Sequence, residues 1–111
     1  MAGDWKIDEV LGAPVTAFEE NDAFISFQKE ESRFYGSTGC NSFFGNFVIE
    51  ENSDNIRLEN IGSTKKLCEN MALEDSIFYV FGKVASVRYD NNKMHLLGKN
   101  GNVLMKLSIK N

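Results

Sequence analysis

A chain of 111 residues, 42% of them apolar and 25% charged, is ordinary globular material of one-domain size and lies outside the disordered range. Its net charge of −4 argues against nucleic acid, whose phosphates need a basic surface. No apolar run approaches the roughly 18 residues of a membrane-crossing helix. Nine Phe, three Tyr and one Trp supply core volume without calling on a metal or a disulfide.

The chain begins Met1-Ala2-Gly3-Asp4-Trp5, with neither a basic start nor an apolar signal core. Such a start is equally that of a chain whose targeting segment has been removed. Trp5 to Leu11 alternates apolar and polar until its end, as a half-buried strand does, and Gly12-Ala13-Pro14 stops it, because proline cannot sit in a central ladder. Glu19-Glu20-Asn21-Asp22 is a polar turn. Ala23 to Gln28 reads as a second strand, and Lys29 to Ser32 turns the chain into its hairpin partner, Arg33 to Gly36.

Gly36 to Phe47 concentrates glycine, cysteine, asparagine and phenylalanine. Gly39 and Gly45 mark positive φ, a bulge or close backbone approach, with Cys40-Asn41 between them as a built corner. Phe43 to Glu50 then forms a strand with Phe43, Gly45, Phe47 and Ile49 on one face. After the loop Glu51 to Asp54, Asn55 to Ile61 alternates again.

The period changes after Cys68. Leu73, Ile77, Val80, Phe81 and Val84 fall on one stripe of a 3.6-residue repeat, which predicts a helix over about 70–84. Asn70 is its expected N-cap, and Glu74 and Asp75 complement its dipole. Ser86 to Tyr89 and Lys93 to Leu97 form a hairpin around Asp90-Asn91-Asn92. Asn100-Gly101 leads into a last strand with Val103, Met105, Leu107 and Ile109 on one face. The expectation is an α+β domain spanning 1–111: about eight antiparallel strands in a small, twisted, barrel-like sheet with the helix packed against it.

No catalytic constellation emerges. Cys40 and Cys68 are compatible with one disulfide or with two buried thiols, and both readings stand. Paired, they would close a loop of about 28 residues, contributing roughly 3.5 kcal/mol by chain entropy and implying an oxidising compartment. A thiol enzyme would need Cys40 or Cys68 beside His95, the single histidine, which reads as an ordinary strand residue. Two cysteines and one histidine fall short of the four ligands of a structural zinc site, and no cofactor is expected. Ser37, Thr38, Asn41 and Ser42 would suit an oxyanion site, but these residue types also brace tight corners. Lys65 and Lys66 read as a solvated turn. Phe43, Phe44 and Phe47 read as core, with a partner surface implied only if Phe43 and Phe44 are both exposed.

These pieces together resemble a known family. Gly3-Asp4-Trp5, the turn Gly12-Ala13-Pro14-Val15, the corner Gly36-Ser37-Thr38-Gly39-Cys40-Asn41 with Gly45 and Phe47 after it, Thr64 to Cys68, and Gly101-Asn102-Val103-Leu104 are similar to the META domain of the HslJ-like bacterial envelope proteins. Phe47 stands where the family more often has Tyr, and Leu67 stands where a Met-Ala type pair is usual. The resemblance implies a structural role for Gly39, Cys40, Asn41, Gly45, Thr64 and Cys68. It also implies a periplasmic or outer-membrane setting, with a lipid anchor on a full-length precursor, and a general link with stress. It carries no enzymatic activity. The expected function is a non-enzymatic binding or interaction module with a protein or small-molecule partner, a carrier of a small apolar ligand being the alternative.

Overall fold

The computed structural model describes residues 2–15, 23–69 and 71–110. The polar turn expected over Glu19 to Asp22 and the N-cap expected at Asn70 lie outside the described residues. Among the described residues nine strands and one α-helix follow in chain order, with a single 3-10 turn at Lys29–Glu31: β1 (Gly3–Val10), β2 (Ala13–Pro14), β3 (Phe24–Gln28), β4 (Arg33–Ser37), β5 (Ser42–Ile49), β6 (Ile56–Ser63), α1 (Ala72–Phe81), β7 (Ser86–Asp90), β8 (Lys93–Leu97) and β9 (Val103–Ile109). All pairings are antiparallel, and the order across the sheet is β6-β5-β4-β3-β1-β9-β8-β7. The two-residue β2 hangs on β1, so Pro14 occupies an edge where its missing N–H costs nothing.

Eight strands therefore form a curled half-barrel. Among the described residues its two ends meet at one junction. Asn55 bridges Ser86, the Ile56 N–H donates to the Ala85 carbonyl (3.0 Å), and the Val87 N–H donates to the Asp54 carbonyl (2.9 Å). From Arg57 onward β6 is not paired with β7, and the chain leaving α1 at Gly82 leads into that junction.

The interior is filled by side chains. Ile25, Phe27, Phe34, Phe43, Phe47 and Leu107 from the sheet meet Ile77, Val80 and Phe81 of α1. Phe81 lies edge-on to Phe43 (ring centroids 5.0 Å apart) and to Phe34 (5.6 Å), so the helix is held by aromatic contacts as well as by buried area.

The structure departs from the sequence pattern at several points, among them register shifts between Ile7 and Glu9 in the β1–β9 pairing and between Phe44 and Asn46 in the β5–β6 pairing. Leu104 is an extra residue between the β8–β9 pairs Leu97–Val103 and Leu96–Met105. This bulge buries Leu104 beside Met105 and leaves Val103 exposed. Ile49 and Ile109, both expected on buried faces, are exposed as the final residues of their strands. The helix is shorter than the stripe that predicts it. Past Gly82 the chain turns out, with the Val84 N–H on the Val80 carbonyl (3.0 Å), and Val84 is buried outside the helix.

Candidate functional site

The corner between β4 and β5 is built on one asparagine. Gly39 takes φ +94°, a region that residues with a Cβ avoid, and this reverses the chain. Thr38 and Asn41 are thereby brought face to face: the Thr38 N–H donates to the Asn41 carbonyl (2.9 Å), and the Asn41 N–H donates to Thr38 Oγ1 (3.0 Å).

The Asn41 side chain is buried and uses its full hydrogen-bonding capacity. Its Oδ1 accepts from Thr64 Oγ1 (2.8 Å) and from the Lys66 N–H (2.7 Å). Its Nδ2 donates to the Lys66 carbonyl (2.9 Å) and, forked, to both Glu74 carboxylate oxygens (3.0 Å each). Two protons and two acceptor sites are thus all spent, which fixes the orientation of the amide. Thr64 Oγ1 in turn accepts from the Ser42 N–H (3.1 Å).

Glu74 is the residue that sequence reasoning missed. It is only 6% exposed, a rare state for a carboxylate. Besides Asn41 Nδ2, its Oε1 accepts from Thr38 Oγ1 (2.7 Å) and the Asn41 N–H (3.2 Å). The dipole of α1 accounts for an acid at this point but not for its burial. The available signal was positional: Glu74 stands three residues before Ile77 and seven before Phe81, on the face that packs inward.

Cys40 and Cys68 are joined by a disulfide, their Cα atoms 6.1 Å apart, which ties the segment before α1 to the corner. Neither sulfur is a thiol in this state. His95 sits on β8 beside Arg88, whose Nη2 lies 3.1 Å from His95 Nδ1, and along the sheet three strands separate β8 from β4. The structure does not bring His95 to the cysteines. Gly45 is held by close approach: a Cβ there would lie 2.7 Å from Phe34 Cζ. Phe43 and Phe47 are core, whereas Phe44 is exposed and lies over Gly62. Lys65 and Lys66 are exposed, as is Leu67, 89% of which faces solvent. Among the described residues no group of three or more His, Cys, Asp or Glu is placed to hold a metal. No described helix is long and apolar enough to cross a membrane.

Beside this network lies a groove of about 540 Å³. It is lined on one side by the last residues of β6, Ile61 to Ser63, and the segment after them as far as Leu67. Met71, which precedes α1, and Phe78 of α1 line it as well, and so do Asn41 and Glu74. Among the described residues, no strand lies on the outer edge of β6 beyond Ile56.

Three solved structures share the fold. One, determined by NMR, has 23% identity with TM-score 0.74, covering 96% of this chain and 88% of its own. An NMR structure from Burkholderia xenovorans has 13% identity with TM-score 0.71, covering 97% of this chain and 81% of its own. A DUF4847 family protein from Bacteroides vulgatus ATCC 8482 has 11% identity with TM-score 0.71, covering 98% of this chain and 93% of its own. At these identities the likeness speaks for the fold alone. No curated protein matches the chain. The META domain model matches residues 1–110, and with the Gly39-Cys40-Asn41 corner, the half-barrel and the single helix in place, the chain belongs to the META domain family.

Proposed function

We propose that this META domain is a non-catalytic interaction module of the bacterial cell envelope, periplasmic or on the outer membrane, serving a stress response. We take its site to be the groove between β6 and α1 and its ligand to be an extended peptide. The observation that carries this reading is the end of the β6 edge, Ile61 to Ser63, which bears no strand among the described residues and lines, with Met71 and Phe78, a space of about 540 Å³. An edge strand offers a row of main-chain donors and acceptors, and a peptide that adds as a further strand satisfies them while the helix wall receives its side chains. The Cys40–Cys68 disulfide supports the compartment, since such bonds persist in oxidising surroundings. The filled aromatic interior favours this groove over a carrier cavity inside the barrel, because a ligand there would have to displace Phe34, Phe43 and Phe81.

The test is an amide NMR titration of the whole chain with capped peptides of alternating Thr and Val. Binding should shift the resonances of residues 57–63 and slow their hydrogen exchange. Ile61→Asp, which places a charge in the groove at an exposed position, should abolish the effect while the rest of the spectrum stays in place. A panel that leaves the β6 amides unmoved overturns the reading.

A further inference from the structure

The groove is lined in part by a buried carboxyl group that has no cationic partner among the described residues. Glu74 is 6% exposed, yet every donor on its carboxylate is neutral: the Thr38 hydroxyl, the Asn41 main-chain N–H and the Asn41 amide. The ion pairs of the described residues, Lys6–Asp8, Arg57–Glu59, Lys93–Asp8 and Lys106–Glu9, all lie elsewhere. A buried carboxylate without a cation is expensive, and hydrogen bonds from neutral groups offset only part of that cost. Glu74 is among the residues that line the groove. A ligand entering there meets a carboxyl group that no cation of the described residues pairs with.

The two oxygens are unequally used. Oε1 accepts three hydrogen bonds, whereas Oε2 accepts one. A guanidinium fork needs both oxygens, while an ammonium needs one. A four-carbon stem is also the shape that lies along apolar walls while its charged end reaches a polar group, here past Ile61, Met71 and Phe78. We propose that the groove selects an extended peptide carrying a lysine, whose ammonium pairs with Glu74 Oε2. The inference rests on the strand-addition reading above and names what that strand must contain.

Lys65 and Lys66 belong to the same groove and oppose a cation, but both are exposed, where charge interactions are screened. Glu74 is buried, where they are not. The buried partner therefore decides the sign of the site.

The experiment uses the intact chain and capped Thr-Val-X-Val-Thr peptides in which X is lysine, norleucine, arginine or glutamate. Affinities come from amide NMR titration followed at Ile61 and Ser63. The lysine peptide should bind at least about tenfold more tightly than the norleucine peptide of equal stem length, with arginine weaker than lysine and glutamate weakest. Added salt should leave the lysine preference standing, because it screens the exposed Lys65 and Lys66 and not the buried Glu74. Glu74→Gln should erase the lysine preference, and the peptide comparison on the unaltered protein stands whether or not that variant folds. Equal binding of lysine and norleucine overturns this inference and leaves strand addition intact. Failure of all four peptides to bind overturns both.

Discussion

Asn41 Nδ2 lies 3.0 Å from each oxygen of the Glu74 carboxylate, a contact that joins the β4–β5 corner to the first turn of α1 across 33 positions of sequence. The same amide holds the Lys66 main chain on its other side. Asn41 is thus the point at which corner, loop and helix are registered to one another. Asn41→Ala removes this amide and leaves Glu74 with fewer donors in a buried place. We expect a loss of about 3 kcal/mol in urea unfolding. Combined with Glu74→Ala, the two losses should be strongly non-additive, since the carboxylate left behind is itself part of the cost. Simple additivity would show that the contact carries no coupling.

The disulfide makes a second prediction. The native protein should take up no thiol-alkylating reagent until it is reduced, and two equivalents afterwards, because both cysteines are in the one bond. Replacing both Cys40 and Cys68 by Ser should lower stability by roughly 3.5 kcal/mol on the chain-entropy account. Alkylation of the unreduced native chain at either cysteine would revive the thiol-enzyme reading that His95 once invited.

Gly45→Ala tests close packing rather than turn geometry. The added Cβ would lie 2.7 Å from Phe34 Cζ and 3.0 Å from the Glu59 carbonyl oxygen. The ring can rotate a little, but the β6 main chain has less freedom. The expected cost is about 1–3 kcal/mol, read from thermal or urea unfolding. An unchanged midpoint would mean that β5 and β6 separate more easily than their register suggests.

Tyr89 gives a prediction in pH. Burial, followed by the charge of Asp54, holds its hydroxyl above the ordinary value of 10.0. On raising the pH the unfolded chain therefore ionises first, so the stability this residue confers is present below about pH 10 and is lost above it. Its ring centroid is 6.3 Å from that of Trp5, the single tryptophan, so tyrosinate formation should quench Trp5 fluorescence. Asp54→Asn should move that quenching to lower pH. Quenching that begins below pH 10 in the native protein would contradict the stated direction.

Strands were legible where one face is buried and the other wet, as from Trp5 to Ile7 and from Phe43 to Phe47, because alternation is the direct imprint of that condition. The bulge at Leu104 left no such imprint: Val103, Met105 and Leu107 alternate in sequence whether or not a residue is inserted in the pairing. The corner was legible as a corner, since glycine and asparagine advertise it locally. Its meaning was not, because the partner that makes Asn41 matter lies on a helix 33 residues away. The groove was illegible for a different reason. It consists of a partner that β6 lacks, and a period-2 pattern says which side chains face inward without saying whether both edges of a strand are paired.

That missing partner bears on solubility. Open strand edges are where β-proteins recruit copies of themselves, and chains guard against it by shortening, charging or covering them. Here the last residues of β6, Ile61 to Ser63, face a groove of about 540 Å³ that α1 also lines. Under the strand-addition proposal a single chain enters that groove, whereas the flank of another folded sheet would meet α1 first. On that proposal the helix guards the end of an open edge, and loosening the Phe81 anchor should promote self-association before it unfolds the sheet.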